Sequence, residues 1–462
     1  MKHEKTKNKK MKKETIIKII FIIYICILCS TWAVSMGHDN VMGPPDERMK
    51  YDICNYIFKN KSLPHGGDEA VRDEIWGISY GFNPILSYIF SAIFMLVTSL
   101  FTSDPNIIFL SSRFVSVICL SAFAFMNIKI SKKLFKEKIY RWLYVIFVTL
   151  LPQVVFLGSY LNNDALALLS ISIIVYSWLL GIEENWSYKS CIIMGIGIGL
   201  CALSYYNAYG YILFSVIMYF ASCFIKKINI KELLKKGIII SLIAFIIAGW
   251  WFIRSYIIYD GDFLGMNTSK EYAELYAKEE YKPSNRLTPD KQKIGLVTML
   301  IDREWIKNTL DSFIGMYGHM CIRMEEWAYL IYKILFIISI SGLILEFIGS
   351  FVKKIQHRNK LKEQEEIIKK SKEKRLFEVI MIVNIIIPIL LSIYYSYCSD
   401  FQPQGRYIMP IIIPFIYFIV KGIKYILKQF VKKKEIKNII LICLMSLWLI
   451  MPIIIYFRYI KS

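Results

Sequence analysis

Apolar runs of about twenty residues, separated by short basic blocks, leave this chain few folds to choose from. Crossing ~30 Å of hydrocarbon at ~1.5 Å per residue takes about twenty helical residues, and the runs recur at that length along the chain. Hydrophobic residues make up 56% of the 462, above the roughly 45–50% of soluble domains. The net charge of +21 comes from 57 Lys and Arg against 36 Asp and Glu. A nucleic-acid binder would gather such charge on a soluble face, whereas here it punctuates the apolar runs. The expectation is one all-α polytopic membrane domain over 1–462, with the lipid bilayer as its medium and no nucleic-acid partner.

Charge then sets the topology. Basic residues crowd the stretch from Lys2 to Lys13 and recur at Lys129–Arg141, Lys226–Lys236, Lys353–Arg375 and Lys421–Lys437. The positive-inside rule puts all of these, and the N-terminus, in the cytoplasm. Two long polar segments have the opposite balance: His38–Tyr80 holds five Lys/Arg against eight Asp/Glu, and Tyr259–Asp311 holds eight against ten. Both are expected outside, in a first outer loop over 37–105 and a second outer segment over 258–326. The run from Thr15 to Met36 is too long for a signal-peptide core and no small-x-small cleavage site follows it. It reads as a retained span. The spans fall near 15–36, 106–128, 141–160, 165–182, 189–205, 208–225, 237–257, 327–350, 377–397, 407–425 and 438–457, about eleven crossings. Asn83–Phe101 breaks the parity and reads as an interfacial or re-entrant helix. Residues 353–376 read as a basic cytoplasmic loop. Most of the ten cysteines fall inside apolar runs and act as small hydrophobes; Cys54 and Cys321 are the one candidate disulfide. No Cys/His spacing suggests zinc.

Three polar motifs stand at the outer ends of these spans. Asp46 and Glu47 follow Pro44-Pro45, which bar a helix through that point. Met49, Ile53, Ile57 and Phe58 then give a helical period that would lie on the membrane surface. The plain reading of the two acids is helix-start chemistry, since carboxylates suit the N-terminal dipole. In Leu161-Asn162-Asn163-Asp164, Asn162 or Asn163 could cap the helix that starts near Ala165. Phe401-Gln402-Pro403-Gln404-Gly405-Arg406-Tyr407 precedes another apolar run, where Arg406 could be an interfacial anchor. Arg113 and Arg254 also lie near outer ends. Outward arginines oppose the charge bias that orients the chain. Three of them beside two acidic sites point to an anionic ligand, most simply a phosphate held by a guanidinium fork. His38, His65 and His319 lie outside among acids and could bind zinc; solvated or hydrogen-bonded histidines fit there too.

Taken in order, Pro44-Pro45-Asp46-Glu47, Asn162-Asn163-Asp164 and Gln404-Gly405-Arg406-Tyr407 resemble the motifs of C-type (GT-C) membrane glycosyltransferases. The protein-mannosyltransferase and aminoarabinose-transferase group is the nearest, with a bacterial family of predicted membrane proteins that carries the same words. Ser112–Ser116 is similar to that group's Arg-Leu-x-Ser element. Gly249–Gly265 is similar to its span-exit Trp, Arg and Tyr-Gly-Asp-Pro-Leu-Gly element, with Asp262-Phe263 in place of Asp-Pro. The likeness covers roughly 40–410. It implies a GT-C-like arrangement with a reaction cavity at the outer face of the plasma membrane. It also implies a sugar donor on a polyprenyl phosphate, an acceptor glycan, lipid or protein, and inversion at the anomeric carbon.

An acceptor hydroxyl needs a carboxylate base. Asp46 is the candidate, Glu47 would position or replace it, and Asp164 would orient the acceptor or the first-loop helix. The leaving phosphate needs positive charge, from Arg406 and Arg113, with Gln404 and Tyr407 beside them. Asn163, Arg254 and Tyr205 are further candidates. Tyr205 stands where the group often carries a lysine, so that charge must come from elsewhere. The arginines could do the electrostatic work of a divalent metal, so no cofactor is required. The competing readings are a polysaccharide polymerase or acyltransferase, a non-catalytic membrane partner, and a transporter. A transporter would show paired broken helices or charges at the membrane centre.

Overall fold

The computed structural model describes residues 2–37, 43–356 and 365–461, with side chains placed for 14–37, 43–350 and 372–461. A long α1 (Lys2–Ser35) leads into a first loop that carries α2 (Glu47–Asn60) and α3 (Leu86–Ser99). Next come α4 (Pro105–Leu134), α5 (Lys138–Thr149), α6 (Pro152–Leu157), α7 (Asp164–Glu183), α8 (Tyr188–Ala202), α9 (Gly210–Lys226) and α10 (Ile230–Ile258). A second polar segment holds α11 (Met266–Tyr276), α12 (Leu296–Leu300) and α13 (Trp305–Ile314), then an antiparallel pair, β1 (Met316–Tyr317) and β2 (Ile322–Arg323). After α14 (Glu326–Gln356) and α15 (Glu365–Cys398), a 3₁₀ turn over Gly405–Ile411 leads into α16 (Ile412–Phe430), and α17 (Lys434–Ile455) follows.

Local chemistry starts these helices where the sequence allows. Asp104 accepts from Asn106 N at 2.8 Å with Pro105 in the first turn of α4, and Asn229 caps α10 through Lys231 N at 2.9 Å. Such caps satisfy N–H groups that a helix start leaves orphaned. Residues such as Ile20, Phe245, Phe347 and Leu391 stand exposed on the outside of the bundle, a surface suited to lipid. Inside, helices meet closely: a Cβ on Gly422 of α16 would lie 1.8 Å from Ser339 O of α14. Only a residue without a side chain permits that approach.

Among the described residues, nine helices are long and apolar enough to cross a membrane: α1, α4, α7, α9, α10, α14, α15, α16 and α17. The chain is a multi-pass membrane protein. Two of the expected eleven spans differ. The run at 141–160 is broken at Leu150–Leu151, where Pro152 cannot continue the ladder of α5, and α8 has 15 residues. Both segments nevertheless carry the chain back. Leu161 N donates to Glu47, and so does Arg113 of α4; α4 then runs from Arg113 to Leu134, roughly 30 Å of helix, which α5 and α6 must retrace. Likewise Asn163 Nδ2 donates to Ser204 O at 3.0 Å, so α8 retraces α7. The helix in Asn83–Phe101 is α3, at 14 residues shorter than a span requires. Its Tyr88, Ala92 and Met95 are buried against Ile53, Cys54 and Ile57 of α2. Cys54 is a buried free thiol, so the expected pairing with Cys321 is not formed. The central part of the basic loop at 353–376 lies outside the described residues, as does His38.

The helix ends sort into two groups. Lys133 pairs with Glu183, Lys138 with Glu14, Lys226 with Glu373 and Lys424 with Glu137, which gathers the basic blocks at one end of the bundle. The three polar motifs gather at the other.

Candidate active site

The Pro44-Pro45 pair delivers Asp46 in the left-handed region, φ 58°, just before α2, a conformation that Asp tolerates better than most residues. Asp46 occupies the cap position but makes no side-chain cap bond. Its Oδ2 accepts instead from Arg406 Nη2 at 2.7 Å and from Tyr80 OH at 2.9 Å. This ion pair spans 360 residues of sequence, with side chains 23% and 7% exposed. Burial pushes the Asp46 carboxyl up, but the charges of Arg406 and Lys50 and the two hydrogen bonds outweigh it. The group stays well below the usual carboxylate range.

Glu47 turns the other way. Arg113 Nε donates to its Oε1 at 2.9 Å and Arg113 Nη2 to its Oε2 at 2.5 Å, the two-point fork of a strong pair. Leu161 N adds a 2.8 Å bond to Oε1. Arg113 also donates to the carbonyls of Ala33, Met36 and Gly37 at the exit of α1. With Arg113 fully buried, the pair binds α1, α4, the first loop and the loop before α7 together.

The second motif divides its work as well. Asn162 is the cap: its Oδ1 accepts from Ala165 N at 3.0 Å, while its Nδ2 donates to Leu157 O and Tyr160 O. Asn163 holds Ser204. Asp164, in the first turn of α7, is buried and interacts electrostatically with Lys50. The third motif is fixed from two sides. Gly405 N donates to Ser312 Oγ of α13 at 2.7 Å, and Asn207 Nδ2 donates to Tyr407 O at 3.3 Å. Arg406 Nη2 also donates to Tyr407 OH at 3.1 Å, and Tyr407 OH donates to Gln402 Oε1. Arg406 Nε and Gln404 Oε1 are buried with no hydrogen-bond partner among the described residues.

Asp46, Asp164, Arg406, Tyr407 and Tyr205 thus form one electrostatic cluster. Glu47 and Arg113 form a separate buried ion pair beside it. Arg254 lies apart: its Nη2 donates to Pro64 O at 2.8 Å, and its guanidinium stacks on Trp251. His65 is packed against Phe82, Tyr259 and Tyr272 and accepts from Gly67 N. Among the described residues no three His, Cys, Asp or Glu side chains converge as metal ligands.

The sequence reading missed Tyr80, Tyr160 and Lys50. Tyr80 comes from an irregular loop with no periodic signal. Lys50 did leave one: it falls in register with Ile53 and Ile57 on the buried stripe of α2, where a lysine is out of place.

The oligosaccharyltransferase of Archaeoglobus fulgidus in its apo form aligns over 96% of this chain with a TM-score of 0.54 and 10% identity. The same organism's AglB, in complex with an inhibitory peptide and a dolichol-phosphate, aligns over 94% with a TM-score of 0.50 and 12% identity. The chain covers 56% and 55% of those chains, about half their length. At such identity the likeness is one of fold alone. No curated protein matches. Residues 55–415 match the family described as Predicted membrane protein (DUF2142). That range contains the Asn162-Asn163-Asp164 and Gln404–Tyr407 motifs, and Asp46 falls before it. A match over most of the chain makes this multi-pass protein a member of the DUF2142 family of membrane proteins.

Proposed function

We propose that this protein is a glycosyltransferase that moves a sugar from a polyprenyl-phosphate donor to an acceptor hydroxyl at the outer face of the membrane, with inversion. The observation that carries the reading is the 2.7 Å Asp46–Arg406 pair. It joins the one carboxylate and the one guanidinium that such a reaction needs, on elements far apart in sequence. The donor phosphate competes with Asp46 for Arg406 and takes its guanidinium. Asp46, still ionised and oriented by Tyr80, is then released to accept the acceptor's proton. The acceptor oxygen bonds to the anomeric carbon from the face opposite the phosphate. The bond from that carbon to the phosphate oxygen breaks and leaves its electron pair on the phosphate. Asp46 gains a proton as the phosphodiester becomes a phosphomonoester, so charge is conserved. Glu47 and Arg113 position the loop that carries Asp46, and Asp164 orients the acceptor or α2.

The test is release of free polyprenyl phosphate from a panel of polyprenyl-phosphate sugars by purified protein in nanodiscs. The Asp46→Asn variant should lose about 10²–10⁴ of turnover, the usual worth of a general base. Turnover within about tenfold of wild type would remove Asp46 from that role.

A further inference from the structure

Lys50 has no part in that scheme, and its surroundings are unusual for a lysine. The residue is 2% exposed. Its ammonium carries three donors, yet among the described residues its one hydrogen bond is a long 3.3 Å contact to Pro45 O. Among the described residues no carboxylate reaches ion-pair distance, although Asp46, Asp164 and Glu47 all act on it. The rings of Tyr80 and Tyr160 flank it at 5.2 and 5.5 Å. A buried charge without close partners is costly. Burial accordingly pushes the Lys50 ammonium below its ordinary value, with Asp46 opposing. Arg406, in the same cluster, also has a donor unspent at Nε.

We propose that Lys50 is a second phosphate ligand, one that answers the charge appearing when the sugar leaves. This rests on the glycosyl-transfer reading. The bound donor is a phosphodiester with one negative charge, which Arg406 can match. Cleavage of the bond between the anomeric carbon and the phosphate oxygen leaves a phosphomonoester, whose second pKa of about 6 makes it a dianion at pH 8. Lys50 supplies the second positive charge, and two unspent cationic donors in one water-poor cluster favour the later charge distribution over the earlier one. The alternative duty, neutralising Asp46 and Asp164 and nothing more, would be blind to the charge on the lipid.

Three probes separate these duties: a polyprenol, its methyl phosphodiester and its phosphomonoester, with equilibrium binding measured in nanodiscs at pH 8. Wild type should bind the monoester about ten- to hundredfold tighter than the diester, the range of a charged hydrogen bond. Lys50→Met should erase most of that preference and change diester affinity little. Lys50→Arg should retain the preference, and Arg406→Ala should weaken both anionic lipids. If Lys50→Met fails to fold, Lys50→Met combined with Asp164→Asn restores the charge balance and is read the same way. A preference that survives the loss of Lys50, or equal weakening of both anionic lipids, overturns the assignment. If wild type binds neither anionic lipid better than polyprenol, the glycosyl-transfer reading falls and takes this one with it.

Discussion

Asp46 and Glu47 are adjacent in sequence and divided in duty. The left-handed turn at Asp46 sends one carboxylate to Arg406 and leaves the other for Arg113. Glu47 and Arg113 are both buried, so Glu47→Gln strands a guanidinium that already spends its other donors on α1. That substitution should cost about 3–5 kcal/mol of stability, the penalty for breaking a buried pair, seen as a large fall in the thermal unfolding midpoint in detergent. Asp46→Asn, at a 23% exposed side chain, should leave the midpoint nearly unchanged. Equal midpoints for the two variants would show that Glu47 does not hold the loop. The residues of this site were legible as types at span ends expected to be external, because arginines there oppose the topology rule. Their pairing was not. Charge alone does not tell which arginine faces which acid: Arg113 meets Glu47 and the end of α1, whereas Arg406 meets Asp46.

At the scale of elements, α13 seats the arginine. Gly405 N donates to Ser312 Oγ, and a Cβ on Gly405 would lie 2.1 Å from Phe313 N. Backbone must shift to admit even one methyl group. Gly405→Ala should therefore displace Arg406 and lower sugar transfer and stability together, the latter by about 1–3 kcal/mol. Ser312→Ala, which removes only the hydrogen bond, should do less. Parallel unfolding and turnover measurements decide it; a Gly405→Ala protein with wild-type turnover would free Arg406 from this support. α13 was invisible to hydropathy, since its ten residues carry a mixed polar pattern within a long polar segment. The long spans were legible because a bilayer demands a fixed apolar length. The break before Pro152 and the brevity of α8 were not, because a hydropathy window averages over the residues that interrupt a helix.

For the whole molecule, the two groups of helix ends make orientation a single question. The basic end should face the cytoplasm and the Asp46–Arg406 end the outside. Single cysteines in a chain cleared of native ones test this with a membrane-impermeant reagent. Lys61→Cys and Asp302→Cys, both at exposed residues, should label in intact cells, and Lys136→Cys only after permeabilisation. The reverse pattern would move the reaction to the cytoplasmic face. Charge yields an expected orientation because only one distribution of basic blocks fits the rule, whereas the meeting of three distant motifs needed the fold. Their separation along the chain has a temporal side. Glu47 waits 66 residues for Arg113, so the first loop can be anchored early. Asp46 waits 360 residues for Arg406, roughly 20–70 s at about 5–20 residues per second of synthesis. Until then the nascent chain is inserted and braced by the Glu47–Arg113 pair but lacks the Asp46–Arg406 pair, and every ribosome that stalls short of Arg406 releases a bundle in which the proposed site is incomplete.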